Sequence, residues 1–392
     1  MDYYKDDLIK LINTEDINFI AYAVTPLHSI GINASIRRLI DSSNNLTGYI
    51  LMMEHGTTGK VITEQDFDVA GTNIKVIKYI DSCKNKESKL NAGIIRKLLV
   101  AGKRVENKKI FLLWTSIPFS FFDVLSFSSK VSEICFVQID DGGGSYANVF
   151  KDMLQFKLYE GSRNIISCVK AFVKTRVAYD LSRVVLFELK LNRNYIDNRI
   201  FKIESKKDGL HYYPNNNISK YYYNSFKNKN TYVEKEIIDA CSGSILINTQ
   251  CLAENKITDG IIDLKVYREL IHIASDMEMN VAIKPHPREL NLSKYYDLGV
   301  DVIPAELSQE VILAQSKELP KCIISVFSST LLNAYGLFDI PAISLAKIML
   351  REDIDRVFSG QLNDFIDQYK NVFIFPENMD ELKKILINLT KN

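Results

Sequence analysis

Three short segments of this chain gather the residue types that bond-exchange chemistry needs. The first is QIDDGGGSY (138–146), where an apolar run ends at Ile139 and two carboxylates, Asp140 and Asp141, meet three glycines. A carboxylate in such a turn can take a proton from a sugar hydroxyl, and Gly142 and Gly143 allow a ligand close to the main chain. The plain alternative is a strand-ending turn in which aspartate caps nearby amides. The second is VAIKPHPREL (281–290), where His286 stands between two prolines with Lys284 and Arg288 on either side. Proline stiffens the loop, the two cations favour a bound phosphate, and histidine is the side chain suited to protonate or hydrogen-bond a phosphate near neutral pH. The third is IISVFSSTLLNAYG (323–336), in which Ser328, Ser329 and Thr330 separate an apolar run from a helical pattern. Hydroxyls at a helix start can cap it, and with its unpaired amides they make an anion site.

Weaker signals accompany these. Asn248, Thr249 and Gln250 follow the first apolar run of the second half, and Glu306 in VIPAELSQ follows a later one, where a carboxylate could accept ribose hydroxyls. Thr25 and His28 in AVTPLHS sit at the first strand-to-helix turn, where capping is the competing role. Of the five histidines, His272 falls on an amphipathic helical pattern and His211 in a polar connection, so neither has the setting of His286. No GxxxxGK[ST] sequence is present, which excludes P-loop chemistry, and no GxGxxG follows the first strand.

These segments need strands to end at them. Short β-branched runs at residues 18–24, 48–53, 74–80, 109–114 and 133–139 alternate with helical patterns at 33–40 and 90–100. The rhythm restarts with strands at 244–247, 280–283, 300–303, 322–326, 342–344 and 372–375, and amphipathic helices at 263–274 and 377–389. Alternation of this kind makes parallel α/β sheets, whose ligands bind beyond the carboxyl ends of the strands. Between the halves, residues 201–236 are rich in Tyr, Asn and Lys and read as a long connection holding the domain boundary, with room for irregular strands. Two such halves fit a GT-B chain of two Rossmann-like domains facing a central cleft; other doubly wound pairs fit equally well, so the fold alone decides no function. Residues 1–240 would form an acceptor-binding domain that includes the Tyr/Lys-rich connection, and residues 241–392 a donor-binding domain.

Bulk properties agree. In 392 residues, 46% hydrophobic and 25% charged content supplies two ordinary cores. Forty-nine basic against forty-eight acidic residues give a net charge of +1, which argues for no nucleic-acid partner. Six cysteines are scattered without a CxxC pair, so neither a disulfide framework nor a zinc site is read from them. The polar start MDYYKDDLIKL lacks a signal-peptide core, and the apolar stretch 110–127 is interrupted by Pro118 and Asp123. A reduced, cytoplasmic protein is expected.

Taken in order, the TPLH turn, NTQCLAE, KPHPR, IPAE and SVFSST, together with DDG, resemble the bacterial sialyltransferases that share D/E-D-G, H-P and S-S/T motifs. These are the lipooligosaccharide enzymes of glycosyltransferase family 52 and the bacterial polysialyltransferases. The resemblance implies an inverting, metal-independent transfer of sialic acid from CMP-sialic acid to a terminal sugar of lipooligosaccharide, capsule or O-antigen, with no further cofactor. Asp140 or Asp141 would be the general base and His286 the general acid. Ser328 and Ser329 would hold the phosphate, and Glu306 would lie near the ribose or cytosine. Within family 52 a carboxylate near the NTQ segment is a rival base, here Glu254. A lipid-borne acceptor would bring the enzyme to the inner face of the cytoplasmic membrane, where the Tyr- and Lys-rich connection could rest. Rival readings are a transferase using another CMP or CDP donor (a Kdo or polyol-phosphate transferase), a nucleotide-sugar epimerase, and a non-catalytic carbohydrate-binding protein.

Overall fold

A computed structural model describes residues 2–3, 15–53, 62–79, 109–114, 133–140, 192–206, 209–229, 231–252, 261–349 and 361–390. The chain divides into two compact units, Met1–Arg199 and Ile200–Asn392.

The first unit is built on a parallel sheet of β1 (Asp2–Tyr3), β2 (Phe19–Ala23), β3 (Thr47–Met53), β4 (Asn73–Tyr79), β5 (Lys109–Trp114), β6 (Glu133–Ile139) and β7 (Asn192–Asn198). Their order is β1-β4-β3-β2-β5-β6-β7. Setting aside the two-residue edge strand β1, this is the doubly wound order in which the direction of winding reverses between β2 and β5. β2, FIAYA, is buried at every position, as an inner strand covered on both faces must be. Helix α1 (Pro26–Asp41) follows it, with Thr25 as N-cap and proline at the first helical position. Ile32, Ile36 and Leu39 recur at helical spacing and pack on Phe19, Ala21, Ile50 and Phe111 of the sheet. Asn198, at the end of β7, is buried and tied to α1, donating to the Ser35 hydroxyl at 2.8 Å.

The second unit repeats the plan. Its sheet contains β10 (Ile245–Asn248), β11 (Val281–Lys284), β12 (Asp301–Val302), β13 (Cys322–Ser325) and β14 (Ala342–Ser344), in the order β12-β11-β10-β13-β14 and parallel throughout. A further bridge from Ile343 to Ile374 extends the same edge. Here the winding reverses between β10 and β13. Helix α4 (Ile261–Ser275) buries Tyr267, Leu270 and Ala274 against the sheet, beside Leu382 and Leu386 of α10 (Met379–Thr390). The α/β class with two Rossmann-like domains, expected from the sequence, is therefore present in both sheets.

The boundary differs from the expected residue 240. Residues 201–206 and 209–214 form an antiparallel hairpin, β8 (Phe201–Lys206) and β9 (Gly209–Pro214), followed by α2 (Asn216–Lys227) and α3 (Lys235–Cys241). All of this belongs to the second unit. Helix α2 buries Ile218, Tyr222 and Phe226, four residues apart along one face. Phe201 stacks on Tyr335 at 6.1 Å, and Tyr212 lies 5.3 Å from Tyr369. The tyrosine-rich texture thus serves a core, although Tyr213 and Tyr232 remain exposed. Cys135, Cys241, Cys251 and Cys322 are buried thiols, placed as small apolar residues are.

Candidate functional site

The carboxyl edge of the second sheet brings the histidine and serine segments together with the residues that follow β10. At the reversal point β10 and β13 lead away in opposite directions, leaving their exits side by side. From the β10 exit, the Gln250 side chain accepts the Phe327 N–H beyond β13 at 2.7 Å. Ser325, fully buried in β13, donates its hydroxyl to the Asn248 carbonyl at 2.8 Å. Phe327 is held from behind by an edge-on contact of 5.1 Å with Phe365 of α9 (Gln361–Tyr369).

Helix α7 (Ser329–Phe338) begins at this edge. Ser328 is its N-cap: the hydroxyl accepts the Thr330 N–H at 3.2 Å and lies 2.7 Å from the Thr330 hydroxyl. Thr330 in turn accepts from the Asn248 amide at 2.8 Å, and Asn248 also donates to Gln309 at the start of α6 (Gln309–Gln315). Capping, the plainer role of the serine pair, is therefore real. It leaves the helix start, with the partial positive charge of its first amides, facing the exit of β10. Two atoms of this group, Asn248 Oδ1 and Gln309 Nε2, are buried with no hydrogen-bond partner among the described residues.

His286 stands on the other side of β10, after β11. The Glu289 N–H donates to the His286 carbonyl at 3.0 Å, which closes a turn with Pro287 at its second position. The Arg288 N–H donates to His286 Nδ1 at 3.1 Å, and Cys251 Sγ lies 3.8 Å from the same nitrogen. The His286 N–H is shared between Thr249 Oγ1 at 3.2 Å and Glu289 Oε1 at 2.9 Å. Thr249 completes the triangle by donating its hydroxyl to Glu289. Asn248 and Thr249, adjacent in sequence, thus join the start of α7 to the histidine turn in one hydrogen-bonded group.

The remaining candidates are placed as follows. Lys284 is buried and its ammonium donates to the Ala305 carbonyl at 3.1 Å and the Pro285 carbonyl at 3.4 Å. It braces the β11 exit against the loop that carries Glu306, itself exposed. Arg288 is exposed. In the first unit Asp140 is buried immediately beyond β6, and Gln138 two residues earlier accepts the Tyr195 hydroxyl from β7. Thr25 and His28 both bond to backbone at the start of α1. Thr25 Oγ1 accepts the His28 N–H at 3.4 Å, and His28 Nδ1 accepts the Val24 N–H at 3.1 Å. Asp141, Gly142, Gly143 and Glu254 lie outside the described residues.

Three residues of the site carried no warning in the sequence. Glu289 has a fully buried side chain, paired with Lys294 at 3.0 Å and accepting from Tyr295 at 2.5 Å. Its position three after a Pro-flanked histidine is the one signal that could have marked it. Gln309 and Asn333 also missed notice. Both are buried polar residues on helices, and Asn333 donates to Glu310 at 2.8 Å. A cavity of about 650 Å³ lined by Ser275, Asn280, Val281 and Asp301 opens at the opposite, amino edge of β11 and β12, away from all of these groups.

Two Rossmann-like units, one of them with histidine and hydroxyls gathered at the reversal point of its sheet, suit a nucleotide-sugar enzyme, but such a fold serves several chemistries and it is the family that identifies a glycosyltransferase. The model of the alpha-2,8-polysialyltransferase family matches residues 63–347, and the chain belongs to that family; it is a sialyltransferase. Family membership entails a nucleotide-sugar donor and a glycan acceptor, and sets the epimerase and non-catalytic readings aside. The matched span contains Asp140, His286, Glu306 and Ser328, whereas Thr25 and His28 precede it.

Among solved structures, the chain is similar to an alpha/beta-galactoside alpha-2,3-sialyltransferase from the luminous marine bacterium Photobacterium phosphoreum. The identity is 13%, with 92% of this chain and 99% of that one covered and a TM-score of 0.45. It is also similar to a UDP-GlcNAc 2-epimerase from Methanocaldococcus jannaschii (10% identity, 95% and 91% covered, TM-score 0.46) and to a sialyltransferase from Photobacterium damsela (13%, 92% and 81%, 0.40). No curated protein matches the chain.

Proposed function

We propose that the enzyme transfers sialic acid from CMP-sialic acid, with inversion and without a metal, to a terminal sugar of a bacterial surface glycan. The observation that carries this reading is the hydrogen-bonded group that runs from Ser328 and Thr330 through Asn248 and Thr249 to His286. A phosphate bound there would meet the amides at the start of α7 and the imidazole together. The unpartnered Asn248 Oδ1 and Gln309 Nε2 support a ligand nearby, since orphaned buried polar atoms are costly and call for an explanation.

In the proposed reaction the bond from the sialic acid anomeric carbon to the CMP phosphate oxygen breaks, and its electron pair leaves on the phosphate. The acceptor oxygen forms the new bond from the opposite face, and its proton goes to a carboxylate. Asp140 and Asp141 are the proposed base, with Glu254 as the rival. His286 meets the charge that develops on the phosphate, an interaction that strengthens toward the transition state. Lys284 acts through the loop it braces, and Glu306 is the proposed ribose contact. Among the described residues no helix is long and apolar enough to cross a membrane. An acceptor carried on lipid at the inner membrane face is part of the proposal, with exposed Tyr232 available to such a surface.

The test is His286→Ala. Removing a side chain that donates to the departing group is expected to lower kcat/KM by about 10²–10⁴-fold, with the circular dichroism spectrum and Tm unchanged. A folded variant with wild-type turnover would remove His286 from the chemistry.

A further inference from the structure

We propose that Glu289 is the positioning residue of the site, locking the histidine turn so that His286 presents a single tautomer with its ring proton on Nε2. This rests on the donor role proposed for His286.

The carboxylate of Glu289 is fully buried yet completely used. One oxygen accepts the His286 N–H and the Thr249 hydroxyl; the other accepts the Tyr295 hydroxyl and pairs with the Lys294 ammonium. Four donors match the lone-pair capacity of an ionised carboxylate, and a buried charge is tolerated when it is paired and bonded in this way. The donors come from three places: the β10 exit, the β11 exit and α5 (Ser293–Tyr296). Burial, reinforced by Tyr267 and by Glu289 itself, drives the Tyr295 hydroxyl far above its usual value, so it stays a donor at every working pH.

The consequence falls on the ring. With the main-chain N–H of His286 fixed on Glu289 and its carbonyl closed onto the Glu289 N–H, the Arg288 N–H is brought to Nδ1 at 3.1 Å. A ring nitrogen that accepts an N–H carries no proton, so the proton of the neutral imidazole resides on Nε2. Groups facing the ring and its turn include Cys251 at Nδ1, the exposed Arg288, and the Glu289 carboxylate, whose charge Lys294 balances. Glu289 therefore acts on the imidazole through geometry rather than through its charge. A CMP phosphate leaves as a weakly basic monoester anion, for which a fixed N–H donor is sufficient.

The test combines Glu289→Gln with nitrogen NMR of the His286 ring in the whole enzyme. The glutamine keeps the volume but sets an N–H₂ against one of the donors. A displaced reacting group costs up to about 100-fold, so kcat is expected to fall about 10- to 100-fold while KM for the donor changes less than about threefold. The wild-type ring is expected to show the Nε2–H form near pH 7, and the variant a mixture of tautomers. Tyr295→Phe, which removes one donor and leaves the carboxylate, is expected to move both readouts in the same direction by a smaller amount, and it carries the test if the glutamine variant does not fold. A wild-type ring protonated on Nδ1, or a folded Glu289→Gln enzyme with unchanged kcat, would overturn the proposal. The ring spectrum needs no turnover, so failure of this inference is distinguishable from failure of the donor assignment.

Discussion

Each side chain in the site is asked to do a physical task that its neighbours make possible. Ser328 spends its hydroxyl on the start of α7 while leaving the remaining amides of that turn facing the β10 exit. Ser328→Ala is expected to cost about 1 kcal/mol of stability through the lost cap, read as a Tm drop of about 2–4 °C in a chain of this size. KM for the donor is expected to rise in the same variant, because the phosphate would lose the ordered turn that receives it. An unchanged Tm would mean that the cap is dispensable. His286 and the serines were legible in the sequence because prolines and clustered hydroxyls are conspicuous. Glu289 was not, because a glutamate in a charged surface-like string differs from a buried one only in what the fold places around it. Lys284 shows the reverse: its charge suggested phosphate, yet its ammonium is engaged by carbonyls of its own loops.

The strands that end at the site were read closely from apolar runs. Residues 109–114 and 133–139 match β5 and β6, and 280–283 is offset by one residue from β11. Such strands are buried on both faces and show as continuous β-branched runs. Strand β7, NRNYIDN, escaped notice because its polar composition resembles a loop. The hairpin shows in the sequence only as irregular strands, and α2 does not show because tyrosine supplies its apolar face: Ile218, Tyr222 and Phe226 lie at a spacing of four that a count of aliphatic residues overlooks. Helix α1 starts well before the expected residue 33, at the Thr25–Pro26 cap.

Two glycines report on how closely these elements approach. A Cβ at Gly48 would meet the Phe19 carbonyl oxygen at 1.8 Å, backbone that cannot yield. At Gly336 it would meet the Phe201 ring and Ile200 at 2.6–2.7 Å. Gly336→Ala is expected to destabilise by about 1–3 kcal/mol as overpacking does, with Gly48→Ala worse; chemical denaturation would show a lower midpoint. Equal stability of Gly336→Ala and wild type would mean that β8 does not seat against α7.

The chain as a whole divides into two compact units whose border lies at residues 199–200. A fragment beginning at Ile200 is expected to fold cooperatively, whereas one beginning at residue 241 loses the hairpin and α2 and is expected to expose apolar surface and bind hydrophobic dyes. A folded 241–392 fragment would restore the boundary expected from the sequence. Burial also sets the alkaline limit of the molecule. The thiols of Cys241 and Cys322 are pushed up to about 12 by desolvation, against about 8.5 in an unfolded chain. Because the folded state holds these protons more tightly, their contribution is complete below about pH 8.5 and is lost as pH rises toward 12. Denaturation midpoints are expected to fall across that window, and both thiols to resist alkylation in the native protein at pH 8; a flat stability profile above pH 9 would contradict the burial. The central claim, sialyl transfer from a CMP donor driven by His286, is tested most directly by measuring CMP release from CMP-sialic acid and from CMP-Kdo, with a panel of galactosides and sialosides, for wild type and His286→Ala. Release from CMP-sialic acid that requires an acceptor and disappears in the variant is the predicted result. Release from CMP-Kdo alone, or release from CMP-sialic acid that survives in the variant, would contradict it.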